Sequence, residues 1–179
     1  SRSFYTCDKT VQSPEDIEGL KIRVLSSQNA VNMISALGGS ATPISWGELY
    51  AALQQGVVEG AENNPPSFYS SRHYEICKHF TLDEHTSIPD VMIISQRIFS
   101  NLTTQQQNWL QLAMQDAIAE QKSLWSQAEN HALRAVKKAG VEVIYPDKRP
   151  FIQAVSHLHD EYNNTLVGQY LNRIKLLSE

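Results

Sequence analysis

The chain has 179 residues, with 15 Lys and Arg against 19 Asp and Glu, a formal net charge of −4, and 41% hydrophobic and 19% charged residues. That length and mix suit one ordinary hydrophobic core, or one large lobe with part of another. The cations form no stripe interleaved with aromatics, which argues against a nucleic-acid partner, and no apolar run approaches the roughly 18 to 20 residues of a spanning helix, so no membrane insertion is expected.

The chain opens on Ser1 and Arg2, without an initiator methionine or signal peptide, and reads as processed or truncated. Ser13, Pro14, Glu15 and Asp16 form a helix start: a hydroxyl cap, proline in the first turn and acids near the positive dipole end. Gly19 closes that short helix, and LKIRVL (20–25) alternates like a strand. Ser26 and Ser27 then offer caps to a helix with Ala30, Met33, Ile34 and Leu37 on its apolar face, stopped by Gly38 and Gly39. Ser45 and Glu48 suit a capping box for the next helix, which carries Leu49, Ala52 and Leu53 and ends at Gly56.

The stretch GVVEGAENNPPSFY (56–69) predicts a β-prone run through Val57 and Val58 that halts at Glu62, Asn63 and Asn64, before Pro65 and Pro66. IPDVMIIS (88–95) is apolar enough to predict a buried strand. A long helix follows, capped by Thr103 with Gln106 three residues on; apolar residues from Trp109 to Val136 recur at spacings near three and four, and Gly140 stops it. Unbroken, it would extend roughly 50 Å at about 1.5 Å per residue, enough to bridge two lobes. VEVIYP (141–146) predicts a strand, and residues 150–177 one or two closing helices.

Strands alternating with helices of about ten residues predict an α/β fold with a mostly parallel sheet, whose ligands sit outside the carboxyl ends of the strands. Arg23 falls near one such end and Asn63 at another. A guanidinium there matches a carboxylate with its rigid fork, and the alternative is a structural salt bridge to Glu48 or Glu62. Asn63 donates and accepts at once, which suits hydroxyls, or is a turn residue. Trp46 offers a ring face to a sugar, or simple packing. Arg2 adds a second cation, although an arginine at a chain start is usually solvated. His73, His79 and His85 match no metal-ligand spacing, and DEHT (83–86) reads as a loop in which Glu84 or His85 faces a cleft. His157 and His159 read as surface. Cys7 and Cys77 give neither metal spacing nor CxxC, and the sequence leaves their pairing open.

No GxSxG, phosphate-cradling glycine loop or dinucleotide fingerprint is present, so no catalytic residue, metal or cofactor is assigned. Glu62 and Glu84 leave a carboxylate-pair hydrolase or lyase as an alternative, and a sensory ligand-binding module is another.

The segments RSFYT, PEDIEGLKIRV, ALGGSATPISWGELYAALQQGVVEGAENN, FYSSRHYE, LDEHT and LTTQQQNWLQLA occur in order. Together they resemble the substrate-binding proteins of the tripartite ATP-independent periplasmic (TRAP) transporters, over nearly the whole chain. The resemblance implies a two-lobed α/β receptor in the periplasm that closes on an organic acid and delivers it to the membrane permease subunits of a sodium-driven transporter. It implies that Arg23 grips the ligand carboxylate, that Asn63 contacts the same ligand, that Trp46 lines the pocket, and that Arg2 and His85 add polar contacts. RSFYT, ENNPPSFY and TLDEHT are most similar to the members that bind sugar acids such as hexuronates and aldonates. Family members are longer at the amino end, so the chain is expected to be their carboxyl-terminal portion and to expose apolar surface. On this reading residues 1–87 form a ligand-binding α/β lobe, 88–140 a crossing strand and inter-lobe helix, and 141–179 a closing strand and helices.

Overall fold

A computed structural model describes residues 1–177. Its strands are β1 (Arg2–Thr6), β2 (Lys21–Val24), β3 (Ser40–Pro43), β4 (Gly60–Asn63), β5 (His79–Thr86) and β6 (Glu142–Ile144), joined in one sheet ordered β3-β2-β4-β1-β5-β6. β2 runs parallel to β3 and β4, and β5 parallel to β6, while β1 in the middle is antiparallel to both its neighbours. The mostly parallel α/β expectation therefore holds. Five strands deliver their carboxyl ends to one edge of the sheet, and β1 delivers its amino end there.

The helices are α1 (Gln28–Ala36), α2 (Trp46–Gln54), α3 (Pro65–Ser70), α4 (Gln96–Ser100), α5 (Thr104–Lys138), α6 (Arg149–Val155) and α7 (Leu166–Leu176). Of these, α1, α2, α3, α5 and α6 cover the sheet in two buried layers. On one face, Leu49, Ala52 and Leu53 of α2, Phe68 of α3 and Val136 of α5 pack on Tyr5, Ala61 and Phe80. On the other, Ile34 of α1 and Phe151 of α6 pack on Phe4, Ile22 and Val24, with Leu37 and Ile17 beside them. Since β1 is buried on both faces, both parities of its side chains are core.

Several local readings hold for their stated reasons. Thr103 and Gln106 form the reciprocal box that opens α5, with Gln106 N donating to Thr103 Oγ1 at 3.2 Å and Thr103 N to Gln106 Oε1 at 2.9 Å. Gly140, with φ of +87°, turns the chain after α5 into β6, where a side chain would be strained. At α2 the expected box does not form: the Ser45 hydroxyl donates to the Glu48 carboxylate and leaves the backbone donors uncapped. The prolines at 65 and 66 do more than stop a strand. Pro65 opens α3, and Asn64 caps it by accepting from Ser67 N at 2.8 Å.

Residues 88–95, predicted as a buried strand, form none. The run pairs with none of the six strands, and no ladder partner for it lies among the described residues. Its apolar side chains are exposed, Ile93 at 87% and Val91 at 76%, and so are Trp109, Leu112 and Leu124 along α5. The exposed apolar surface expected of this chain is thus present. Two further corrections concern strands that were not anticipated: RSFYT is the central β1, so Arg2 is largely buried rather than solvated, and DEHT is the end of β5 rather than a loop. The strand predicted through Val57 and Val58 begins later, at Gly60, and Val57 is exposed.

Cys7, just past β1, and Cys77, just before β5, form a disulfide that spans 70 positions of sequence. Constraining so long a loop in the unfolded chain is worth about 4 kcal/mol. The double substitution Cys7→Ser, Cys77→Ser is expected to lower the unfolding free energy by up to that amount in urea titrations. Thiol titration of the denatured, unreduced protein should find no free thiol; two reactive thiols would show that the bond is not made.

Candidate functional site

The carboxyl edge of the sheet gathers a cluster of polar and aromatic side chains. Arg23 pairs in register with Ala61 of β4, so the pleat turns its side chain to the α2 face, where Ala61 is core. The guanidinium is buried. Its Nε donates to the Ile44 carbonyl at 2.8 Å, its Cζ lies 5.6 Å from the centroid of the Trp46 ring, and its Nη1 is buried without a hydrogen-bond partner among the described residues. Neither Glu48 nor Glu62 forms the salt bridge that was the alternative reading. Burial pushes the Arg23 pKa down, but a guanidinium keeps its charge at neutral pH.

Trp46, the first residue of α2, stands between this cation and a buried histidine: its ring is tilted against that of His73 at 5.1 Å, and it remains 42% exposed. Burial, reinforced by Arg23, drives the His73 pKa down to about 4, so the ring is neutral. Burial also raises the Tyr5 pKa, and the phenol therefore donates to His73 Nδ1 at 2.8 Å.

Arg2, Glu62 and His85 occupy the opposite face, reached by the even positions of β1 and β4. The Arg2 guanidinium forks onto the Glu62 carboxylate, through Nε to Oε2 and through Nη2 to Oε1 at 2.7 Å. Nη2 also donates to the Glu62 carbonyl at 3.0 Å, and Nη1 to Asn63 Oδ1 at 3.1 Å, so four of its five N–H donors are engaged. Asn63 Oδ1 accepts a second bond from Asn64 N at 2.9 Å. Its amide nitrogen has no hydrogen-bond partner among the described residues. Arg2 thus ties the two faces together over the end of the sheet.

His85 reaches this network through a bulge. The β1–β5 register shifts between Arg2 and Phe4, and the extra residues are pinned by Phe4 N donating to Asp83 Oδ1 at 3.1 Å and Glu84 N to Ser3 Oγ at 3.2 Å. Glu84 takes a φ of +52° to allow it. The His85 ring then stacks on Phe4 with centroids 4.3 Å apart, its Nδ1 2.6 Å from Asp83 Oδ2 and its Nε2 3.6 Å from Glu62 Oε2. The last distance is too long for a hydrogen bond and acts as charge attraction. Burial alone would favour a neutral ring, but Asp83 and Glu62 together outweigh it and push the pKa up to about 9. Glu62 is correspondingly held ionised: burial opposes this, and His85 and Arg2 overcome it.

The structure therefore brings Arg23, Trp46 and Asn63 to one side of the sheet's end and Arg2 and His85 to the other. Glu62, Asp83, Tyr5 and His73 complete the two groups, and nothing in the sequence pattern marked them as partners. Glu84 lies outside both. Its exposed carboxylate pairs with Lys148 and Ser1 and is held ionised, chiefly by Lys148. Neither Glu62 nor Glu84 thus carries the raised pKa of a glycosidase general acid. Arg2 and Asn64 border an open cleft of about 520 Å³ that Trp125 and Ile118 of α5 also line.

Residues 1–165 match the family of bacterial extracellular solute-binding proteins, family 7. A solute-binding protein of Chromohalobacter salexigens is 36% identical over 163 residues, covering 90% of this chain and 48% of that protein. Among solved structures, a TRAP periplasmic solute-binding protein of Xanthobacter autotrophicus with bound β-D-galacturonate superposes with a TM-score of 0.90 at 38% identity, over 98% of this chain and 59% of the other. One from Anaerococcus prevotii with bound D-glucuronate gives 0.85 at 41% identity, over 91% and 53%. The chain spans about half the length of the relatives it matches.

The charge networks set a pH profile for stability. The His85 pKa is raised from 6.5 to about 9, so its contribution is complete below pH 6.5 and lost as pH climbs through 9, in all about 3 kcal/mol. The His73 pKa is lowered, so the unfolded chain takes up its proton first and stability falls as pH drops from 6.5 towards 4. Lowering of the Glu62 pKa adds to the acid-side loss, below its ordinary 4.5. Stability measured by denaturant titration is expected to peak near pH 6.5. His85→Gln should abolish the alkaline decline; an unchanged slope between pH 7 and 9 in that variant would contradict the assignment.

Proposed function

The chain belongs to the bacterial extracellular solute-binding proteins of family 7, and on that premise we propose that it forms the acid-gripping part of a periplasmic receptor for a hexuronate-type sugar acid. Arg23 receives the ligand carboxylate, Asn63 donates to a hydroxyl, and Trp46 lies along the ring face. Arg2 and His85 shape the rim. The observation that carries this reading is the buried Arg23 guanidinium with its unpartnered Nη1. A buried cation whose donor lacks a partner calls for an anion, and a carboxylate matches the fork of a guanidinium in two parallel bonds. The exposed face of Trp46 and the free amide nitrogen of Asn63 suit a hydroxylated ring.

Neighbours that carry D-glucuronate and D-galacturonate support the substrate class. A disulfide supports an oxidising compartment such as the periplasm. The receptor works without chemical turnover: the ligand favours a closed state by its differential affinity for it, and the closed state is delivered to the membrane permease subunits of a TRAP transporter. The division of labour that follows gives residues 1–87 the ligand contacts and residues 88–140 the connection between lobes.

Calorimetric titration of the receptor with D-glucuronate and D-galacturonate tests this. Arg23→Ala should weaken binding by about 2 to 5 kcal/mol, because one partner of a buried charge pair is removed. Arg23→Lys should recover part of the affinity as a point charge without the fork. The unfolding profile of each variant must remain cooperative. Equal affinity in the wild type and Arg23→Ala would rule out the carboxylate clamp.

A further inference from the structure

The site holds two kinds of cation, and only one is free. Arg2 spends four of its five donors inside the protein, three of them on Glu62 and one on Asn63 Oδ1. The His85 ring lies between two carboxylates, 2.6 Å from Asp83 and 3.6 Å from Glu62, and is itself buried. These two cations and two anions cancel. Buried Arg23 Nη1 and His85 Nε2 both lack a hydrogen-bond partner among the described residues, but His85 has Glu62 and Asp83 beside it, whereas Arg23 has no carboxylate within ion-pair distance among those residues and keeps an uncompensated charge. Asn63, with its oxygen occupied by Arg2 and Asn64, adds a donor that carries no charge.

We propose that Glu62 is a specificity-determining residue, which neutralises Arg2 and so restricts the site to ligands with a single carboxylate. The inference rests on the receptor reading and deepens it. A sugar acid with one carboxylate places its charge on Arg23 and hydroxyls elsewhere. A sugar diacid of the same carbon skeleton brings a second carboxylate to an edge whose remaining cations are already paired, and beside the ionised Glu62. That second charge is desolvated without compensation and meets a like charge, the combination by which binding sites reject wrong ligands.

The test compares D-glucuronate, D-gluconate and D-glucarate by calorimetric titration of the receptor at about pH 6, where His85 stays charged; glucarate lacks the hemiacetal ring of glucuronate, and differs from open-chain gluconate only by a terminal CH2OH oxidised to a second carboxylate. The wild type should prefer both single acids, gluconate as well as glucuronate, to glucarate by about 100-fold or more, the range expected when a like charge is juxtaposed in a binding site. In Glu62→Gln the Arg2 charge is released, and the preference should shrink at least about tenfold through tighter glucarate binding. A purely structural Glu62 would weaken all three acids by the same factor, leave their ratios unchanged and overturn the proposal. Equal wild-type affinities for gluconate and glucarate would overturn it as well, while leaving the carboxylate clamp intact. Binding of none of the three acids would remove the receptor reading and this inference together. Should Glu62→Gln not fold, as judged by its thermal transition, the wild-type ratio of gluconate to glucarate decides, since both are open-chain and a ratio near one overturns the proposal.

Discussion

The arrangement of the whole site depends on one strand running against the rest. β1 occupies the centre of a sheet whose other five strands share a direction, so its amino end arrives where theirs finish. Open α/β sheets bind ligands at that edge because loops diverge there and backbone groups are left unpaired. A sixth parallel strand would bring a carboxyl terminus there; β1 brings Arg2. From that place its guanidinium reaches Glu62 on one face and Asn63 on the other, which no side chain of β2 or β4 alone could do. The bulge in β5 lies opposite this same end of β1. His85 is re-aimed onto Phe4, and the ring closes the network that Arg2 begins.

The two faces handle charge differently. On the Arg2 face each buried cation meets a carboxylate, and each carboxylate is further bonded, so the cost of burial is offset within the protein. On the Arg23 face the cation has a carbonyl, an aromatic ring and no acid. An isolated buried charge is expensive, and the fold tolerates this one because Trp46 and Ile44 supply partial compensation at the end of a strand. The neutral Tyr5–His73 pair beneath it belongs to the same design. A protonated His73 would oppose Arg23, and burial together with that repulsion keeps the proton off.

How much of this the sequence disclosed follows from which signals are local. Arg23 and Asn63 were placed at strand ends because LKIRVL alternates and because Asn63 and the two prolines punctuate the chain; both are properties of a few consecutive residues. RSFYT and GAEN gave no periodic signal, since strands buried on both faces lose the alternation that marks a half-exposed one. Without β1, Arg2 looked like a chain terminus and its partner Glu62 was assigned to Arg23 or to catalysis. The pairing of Arg2 with Glu62 spans 60 positions and leaves no trace in either segment. IPDVMIIS failed in the opposite sense. Its composition is that of a strand, but a strand exists only where another offers its ladder, and composition cannot report on that.

The exposed apolar run and the uncompensated Arg23 are two forms of the same physical condition. Each is a surface whose stabilising partner is not among the described residues: apolar area for the side chains of residues 88–95 and α5, an anion for the guanidinium. They differ in what can satisfy them. Apolar area is non-directional, and many surfaces of suitable shape would cover it. A guanidinium fork accepts few partners, and one whose neighbouring cations are already neutralised accepts fewer still. On the proposed reading, selectivity at this edge resides less in the arginine that grips than in the glutamate that removes its competitor. On that same reading, the Arg2–Glu62 fork is the contact through which the sheet limits how many charges a ligand carries.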